Sequence, residues 1–468
     1  MERTVALRER GRLAVLLNSL VQQTLMRTAG PGPDPRNLRT WRQFVLGVLV
    51  QRSVRLVRVA QAVRPARRAQ SVKTTAAALG YLLSEAQWAQ RPFTTRWLLA
   101  AVEHVAPEQW ASYRGYVLAV IDATEYPKRS RGSGTRGRHM QHIGRVRRAA
   151  KGQPKGRARS GRGRAKERSG KAPRPPRVTT TYGYVDIWGG LVLKWQQFVP
   201  LARLLYSNRH PQLKSQNRVE EAVIGLLRGL ARRLGVRLLL LGDRGLGRKE
   251  LLIRLARAEQ AFVFRIDADI QVGPPGQAPD RSLAAYLAQQ PRLGRARWQR
   301  GGEPALVCQV RAVPATLRYS RTGRQADYTE ATLQFVEWQP EEPGHDPLVL
   351  ATTLPVSTLA DAVGLAWVYG QRWSIETGFE IMKGWGLDQF MVRDWQAIDR
   401  LLGIVAVAYT LLLVALRVPA LARLRAQAVA LLKTRAVLGR RLTVGKLAEA
   451  IGLDFPGHCR AWANVWLL

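Results

Sequence analysis

Cysteine is nearly absent. The chain has two in 468 residues, Cys308 and Cys459, far apart and with no CxxC spacing or adjacent histidine pair. That excludes a disulfide framework and a Cys/His zinc site, and it fits a reducing compartment. Acidic residues are scarce too, 33 against 74 Lys and Arg, which leaves a formal net charge of +41. Such an imbalance points to a polyanionic partner, and nucleic acid accounts for it better than an anionic membrane surface. Long apolar runs are missing as well. The longest covers residues 401–416 and includes Tyr409 and Thr410, short of a membrane span and expected to be a buried core helix. The opening MERTVALRERGR carries charge where a secretion signal needs apolar residues, so a cytoplasmic location is expected, with no membrane partner.

What is present suffices for several packed domains, since 46% of the residues are hydrophobic. Residues 1–105 carry Leu and Val at helical spacing, through LAVLLNSLVQQTL and WRQFVLGVLVQRSVRLVRVAQAV, broken by PGPDPRN. The first hundred residues hold 17 Lys or Arg and 4 acids. A basic helical domain of this kind suits DNA binding, with a protein-contact bundle as the alternative. Residues 127–178 are Arg, Lys, Gly, Ser and Pro, with 19 basic residues and one acid; this composition predicts a disordered basic loop able to lie along a phosphate backbone. TTTYGYVDIWGGLVLKWQQFVPL at 179–201 predicts a hairpin turning at Gly189-Gly190. Residues 216–234 read as an amphipathic helix, and short β-rich pieces alternate with Pro and Gly over 267–354. Near the end, RLTVGKLAEAIGLD resembles half a helix-turn-helix.

Three acids stand out by position. YVLAVID ends a β-rich apolar run in Asp122, and RLLLLGD ends another in Asp243 before a Gly turn. A carboxylate at the end of a buried strand is costly unless it is paired or meets a cation, although a turn former or helix cap is the common use of a lone one. The third is Glu376 in YGQRWSIETGFEIMK at 369–383. Read as one helix, this stretch puts Tyr369, Arg372, Glu376 and Lys383 on one face and Ile375, Phe379 and Met382 on the other. Glu380 lies near the polar face as a competing carboxylate.

The spacing Tyr-x2-Arg-x3-Glu-x6-Lys, with Trp373 directly after the Arg, resembles the C-terminal signature of bacterial cut-and-paste insertion-sequence transposases of the DDE type. The resemblance implies an α/β fold: a ribonuclease-H-like catalytic core, a mixed sheet flanked by helices. It implies an N-terminal helical DNA-binding domain at 1–105 and a core split into 106–266 and 355–416. A β-rich insertion at 267–354 would divide the core, and a helical region at 417–468 would follow it. It implies that Asp122, Asp243 and Glu376 are catalytic and hold two Mg²⁺ ions, with Mn²⁺ able to substitute. Tyr369, Arg372, Trp373 and Lys383 would contact DNA, and Trp298 or Trp338 could stack on a flipped base. The implied partners are double-stranded DNA, as element ends and target, and a second copy of the chain in the DNA complex. The implied setting is the bacterial cytoplasm, at the nucleoid. Element excision and strand transfer is the implied activity; a metal-dependent nuclease without strand transfer and an inactive DNA-binding derivative are the alternatives.

Overall fold

The computed structural model describes residues 34–63, 71–88, 90–128, 140–147, 178–213, 215–299, 304–323, 327–387, 390–392, 394–417, 422–433 and 443–454. The helix expected within 1–33, most of the basic 127–178 stretch and Cys459 lie outside them.

Four helices come first: α1 (Pro35–Gln51), α2 (Leu56–Val63), α3 (Val72–Ser84) and α4 (Gln90–Val102). Their starts are written locally. Asp34 accepts the Arg36 N–H at 2.7 Å ahead of Pro35, and Ser71 accepts the Thr74 N–H at 3.0 Å. Next are β1 (Ser112–Tyr113), β2 (Tyr116–Lys128), β3 (Gln141–Arg147), β4 (Val178–Leu193) and β5 (Gln197–Tyr206). They are followed by α5 (Gln216–Leu234), β6 (Leu238–Gly242), α6 (Lys249–Arg257) and β7 (Phe262–Arg265). Then come β8 (Gln271–Val272), β9 (Arg281–Ser282), α7 (Leu283–Ala288), β10 (Arg292–Trp298), β11 (Leu306–Tyr319), β12 (Thr329–Pro340) and β13 (Leu348–Thr352). The chain ends helical, with α8 (Leu359–Gly370), α9 (Trp373–Gly384), α10 (Trp395–Arg417), α11 (Ala422–Lys433) and α12 (Val444–Asp454).

One sheet organises these elements, in the order β10-β11-β12-β13-β7-β6-β2-β4-β3, with β5 also on β4 and β1 on β2. The β2–β6 and β6–β7 pairs are parallel, and their flanking pairs are antiparallel. Parallel neighbours need crossovers, and α5 and α6 lie in the two connections. The apolar run of β6 is buried at all five positions, as a strand covered on both faces must be. Helices α5 and α9 pack on the β4–β5 side, while α6 and α8 pack over β11 and its neighbours. This is a mixed α/β architecture, a central mixed sheet flanked by helices.

The structure departs from the sequence-based expectations in four places. First, β4 runs straight through Gly189 and Gly190, and the β4–β5 turn falls at 194–196. Trp195 and Gln196 adopt left-handed backbone there (φ 67° and 55°), without the Gly or Asn that usually marks such a turn. The two glycines serve close packing instead. A Cβ on Gly189 would meet Leu227 of α5 at 2.7 Å, and one on Gly190 would lie 1.9 Å from the Val199 carbonyl oxygen. Gly190→Ala is therefore expected to destabilise the fold by about 3 kcal/mol, read as a lower urea midpoint at unchanged slope.

Second, the basic stretch is not wholly without structure: β2 extends to Lys128, and β3 pairs antiparallel with the start of β4. That ladder satisfies backbone groups that composition alone leaves unpartnered. Third, the strands at 267–354 do not stand apart. β10 to β13 continue the main sheet, and β13 pairs with β7. Fourth, the N-terminal helices do not close a core alone, because α1, α3 and α4 pack around α10. That helix is long and apolar enough to cross a membrane by composition, yet 94% of its apolar window is buried in the protein. Arg400 of α10, 5% exposed, donates to the carbonyls of Leu82 and Leu83 and so caps the end of α3.

Candidate active site

The site forms where the parallel β2–β6 pairing runs out: β6 ends at Gly242, but β2 continues along β4 to Lys128, so Asp122, expected at a strand end, lies within β2 opposite Trp188. The parallel register reaches Val120↔Leu241, so Asp122 and Asp243 each stand two residues further along their own chains. Residues 118–121 are fully buried, and Asp122 follows them just past the point where β2 loses β6 as a neighbour. Its Oδ1 accepts the Ala123 N–H at 2.8 Å, and its Oδ2 accepts Arg372 Nη1 at 3.2 Å. Burial first, and then the neighbouring Asp243 carboxylate, push the Asp122 carboxyl up to about 7, against the pull of Arg372. Asp243 follows β6 directly and opens a 3₁₀ turn, its Oδ1 accepting the Gly245 N–H at 3.0 Å.

The third carboxylate arrives on α9. The stretch expected as one helix is two, because the hydrogen bonds at the α8–α9 junction tighten to 3₁₀ spacing: Arg372 N–H to Tyr369, Ser374 N–H to Gln371, and Ile375 N–H to Arg372. The predicted apolar stripe holds. Ile375, Phe379 and Met382 are buried, with Phe379 edge-on to Trp188 at 5.9 Å. The polar stripe does not simply face solvent. Tyr369 is 3% and Arg372 7% exposed, since the tightened turn rolls both towards the sheet edge.

Arg372 thus becomes the hub. Nη1 meets Asp122, and Nη2 reaches Glu376 Oε1 at 2.6 Å. Its guanidinium lies 5.9 Å from the Tyr369 ring centre and 5.7 Å from that of Trp373. Among the described residues its buried Nε meets no acceptor within hydrogen-bond geometry. Glu376, not Glu380, makes the Arg372 contact, though both line an open cleft of about 400 Å³ with Asp122, Glu125 and Lys383. Among the described residues no three acids, histidines or cysteines converge closely enough to hold an ion as the side chains stand; Arg372 takes the place between Asp122 and Glu376.

Arg265 went unnoticed in the sequence. It ends β7 beside Asp243, because the β6–β7 register reaches Gly242↔Phe264. Burial raises the Tyr369 phenol, while Arg372 and Arg265 pull it down. The signal was the one that marked the two aspartates, a charged residue closing an apolar strand. Trp338 is 1% exposed inside β12 and offers no face for stacking, whereas Trp298 on the edge strand β10 is half-buried.

Residues 209–411 match the family model described as the transposase DDE domain. The match contains Asp243, Glu376 and the whole Tyr369–Lys383 spacing, and begins after Asp122. It supports a DDE-type transposase, an enzyme acting on DNA. No curated protein matches the chain.

Proposed function

We propose that this chain excises an insertion element at its ends and joins it to target DNA, by phosphodiester hydrolysis followed by strand transfer. The observation that carries the reading is the convergence of Asp122 and Glu376 on the buried Arg372, with Asp243 at the end of the adjacent parallel strand. The order β5-β4-β2-β6-β7, an antiparallel meander continued by two parallel strands, supports a ribonuclease-H-like core.

Asp122, Asp243 and Glu376 would hold two Mg²⁺ ions, or Mn²⁺ in their place. The donors fit: all are carboxylate oxygens, the class hard divalent cations prefer, and Asp122 is pushed up first by burial and then by the Asp243 carboxylate, a charge that a cation would offset. Bound ions of this kind stabilise both the attacking and the leaving oxygen of an in-line displacement. The chain's own residues do the rest. Arg372 presents a planar fork and Lys383 a point charge to phosphates flanking the scissile bond. Half-buried Trp373 lines the approach of the terminal nucleotides, while Tyr369, expected to contact DNA, is buried with its ring edge-on to Trp373 at 6.1 Å and would support it. The basic 127–178 stretch grips backbone through charge rather than base identity. Double-stranded DNA is the substrate, in the cytoplasm where it lies, and a homodimer would bring two element ends together.

Ligation requires an ionised Asp122, so a carboxyl near 7 makes cation affinity proton-sensitive: about tenfold weaker per pH unit below 7. The sign for stability follows the same way. A folded-state value above the unfolded one favours the fold below the unfolded value, and that gain is lost as pH rises through about 7. Mn²⁺ should therefore raise the melting temperature more at pH 8 than at pH 6. Equal shifts at both pH values would contradict the assignment of Asp122.

The activity itself is tested with labelled duplexes carrying the inverted repeats that flank the gene, incubated with supercoiled target and Mg²⁺. Joined products are expected. Cut ends that never join would leave a nuclease; no cleavage of any duplex in Mg²⁺ or Mn²⁺ would sink the proposal.

A further inference from the structure

We infer that Arg248 and Glu220 form a clamp that positions the Asp243 carboxylate. The inference rests on the reading of Asp243 as an active-site acid and deepens it with two residues the signature does not contain.

Asp243 leaves β6 on a short turn, 243–248, before α6 begins. Its carboxylate is oriented by one backbone donor, the Gly245 N–H at 3.0 Å. A carboxylate held by a single amide is only as well placed as the peptide bearing that amide. That amide belongs to the 244–245 peptide, and the turn that continues from it is fixed from two sides. Gly247 lies flat against β7, where a Cβ would come within 2.6 Å of the Arg265 carbonyl oxygen. On the other side Arg248 reaches back across the turn: Nη1 donates to the Gly245 carbonyl at 2.6 Å and Nη2 to Glu220 Oε2 at 2.5 Å. Arg248 occupies the N-cap of α6 and makes no side-chain cap there, so its guanidinium is committed to the turn and not to the helix.

Glu220 is the anchor. It lies on α5, 3% exposed, and its second oxygen accepts Gln216 Nε2 at 2.9 Å. A buried carboxylate is costly unless paired and hydrogen-bonded, and both conditions are met by groups that also tie α5 to the catalytic turn. One residue, Gly245, therefore transmits the clamp: its carbonyl is held by Arg248, and its N–H holds Asp243. Only a planar fork can serve Gly245 and Glu220 together at these distances; an ammonium can satisfy one or the other well.

The test uses Arg248→Lys and Glu220→Gln, which keep a cation or an isosteric side chain in place so that neither leaves a bare buried charge. Mn²⁺ binding to the full chain without DNA is followed by titration calorimetry, beside single-turnover cleavage across Mn²⁺ concentrations. Loss of a residue that orients a ligand typically weakens affinity by about 10–100-fold. The expected result is a Kd raised by about tenfold, the same shift in the cleavage midpoint, and rates that recover at saturating Mn²⁺. A purely structural pair would instead lower the bound stoichiometry and the amplitude without moving either midpoint. Unmoved midpoints in both variants overturn the clamp. Asp243→Asn is run alongside: if it binds and cuts like wild type, the reading of the site fails; if it is dead while both clamp variants titrate normally, only the clamp fails.

Discussion

Asp122→Asn, Asp243→Asn and Glu376→Gln are each expected to reduce DNA cleavage by at least about a thousandfold while leaving end binding within about threefold of wild type. The three carboxylates enter from separate elements, β2, the turn after β6, and α9. Glu380 is the closest substitute, four residues along the same helix and in the same cleft. It lacks the Arg372 contact that ties Glu376 to Asp122. Glu380→Gln should accordingly cut at near wild-type rate, and a reversal of the two glutamates would move the site.

Unfolding cannot mimic this outcome at Asp122. Burial and Asp243 push its carboxyl up to about 7, so the charged form is unfavourable in the fold at pH 8. Asp122→Asn removes that charge and should raise the melting temperature at pH 8 in the absence of divalent ions, the gain shrinking as pH falls from about 7 and vanishing only below the ordinary carboxyl value of 3.8. Stability gained with activity lost marks a residue placed for chemistry against the interest of the fold. A variant both dead and less stable at pH 8 would indicate a structural carboxylate.

Much of this arrangement was legible in the sequence because it depends on local apolar runs. Residues 118–121 and 238–242 announce buried strands, and Asp122 and Asp243 gain meaning from following them, although only β6 stops there and β2 runs on to Lys128. Spacing alone flagged Glu376. What stayed hidden depends on contacts distant in sequence. The glycine pair at 189–190 is written like a turn, but the space it frees is filled by Leu227 and the Val199 carbonyl. The real turn uses Trp195 and Gln196 in left-handed backbone, a conformation their side chains do not advertise. The helical period across 369–383 is unbroken, so the tightening that turns Arg372 inwards could not be read from it. Arg265 gains significance only once β7 lies beside β6. The run at 401–416 was recognisable as core, yet not as the core of helices more than three hundred residues upstream.

Arg372→Ala carries the second large effect, and two roles for this residue predict opposite results. In the free chain its guanidinium bridges Asp122 and Glu376, where a cation would be drawn. Were it only a stand-in for that cation, its removal would let Mn²⁺ bind more tightly and leave the rate at saturating Mn²⁺ unchanged. As a DNA clamp it contributes to the reaction itself. Losing one preorganised donor to a developing or flanking charge costs about a hundredfold to a thousandfold, and saturating Mn²⁺ cannot restore it. We expect the second outcome, because the guanidinium packs beside both the Tyr369 and Trp373 rings, which are themselves edge-on 6.1 Å apart, and is thus held in place by more than the two carboxylates. Arg372→Lys should rescue little, since an ammonium does not span the two carboxylates as the planar fork does. Lys383→Ala, which removes a cation from the cleft wall, should cost less. Single-turnover cleavage across Mn²⁺ concentrations decides the matter: an Arg372→Ala rate that returns to wild type at saturation would leave the residue a place-holder and shift the phosphate grip to Lys383 and the basic segment.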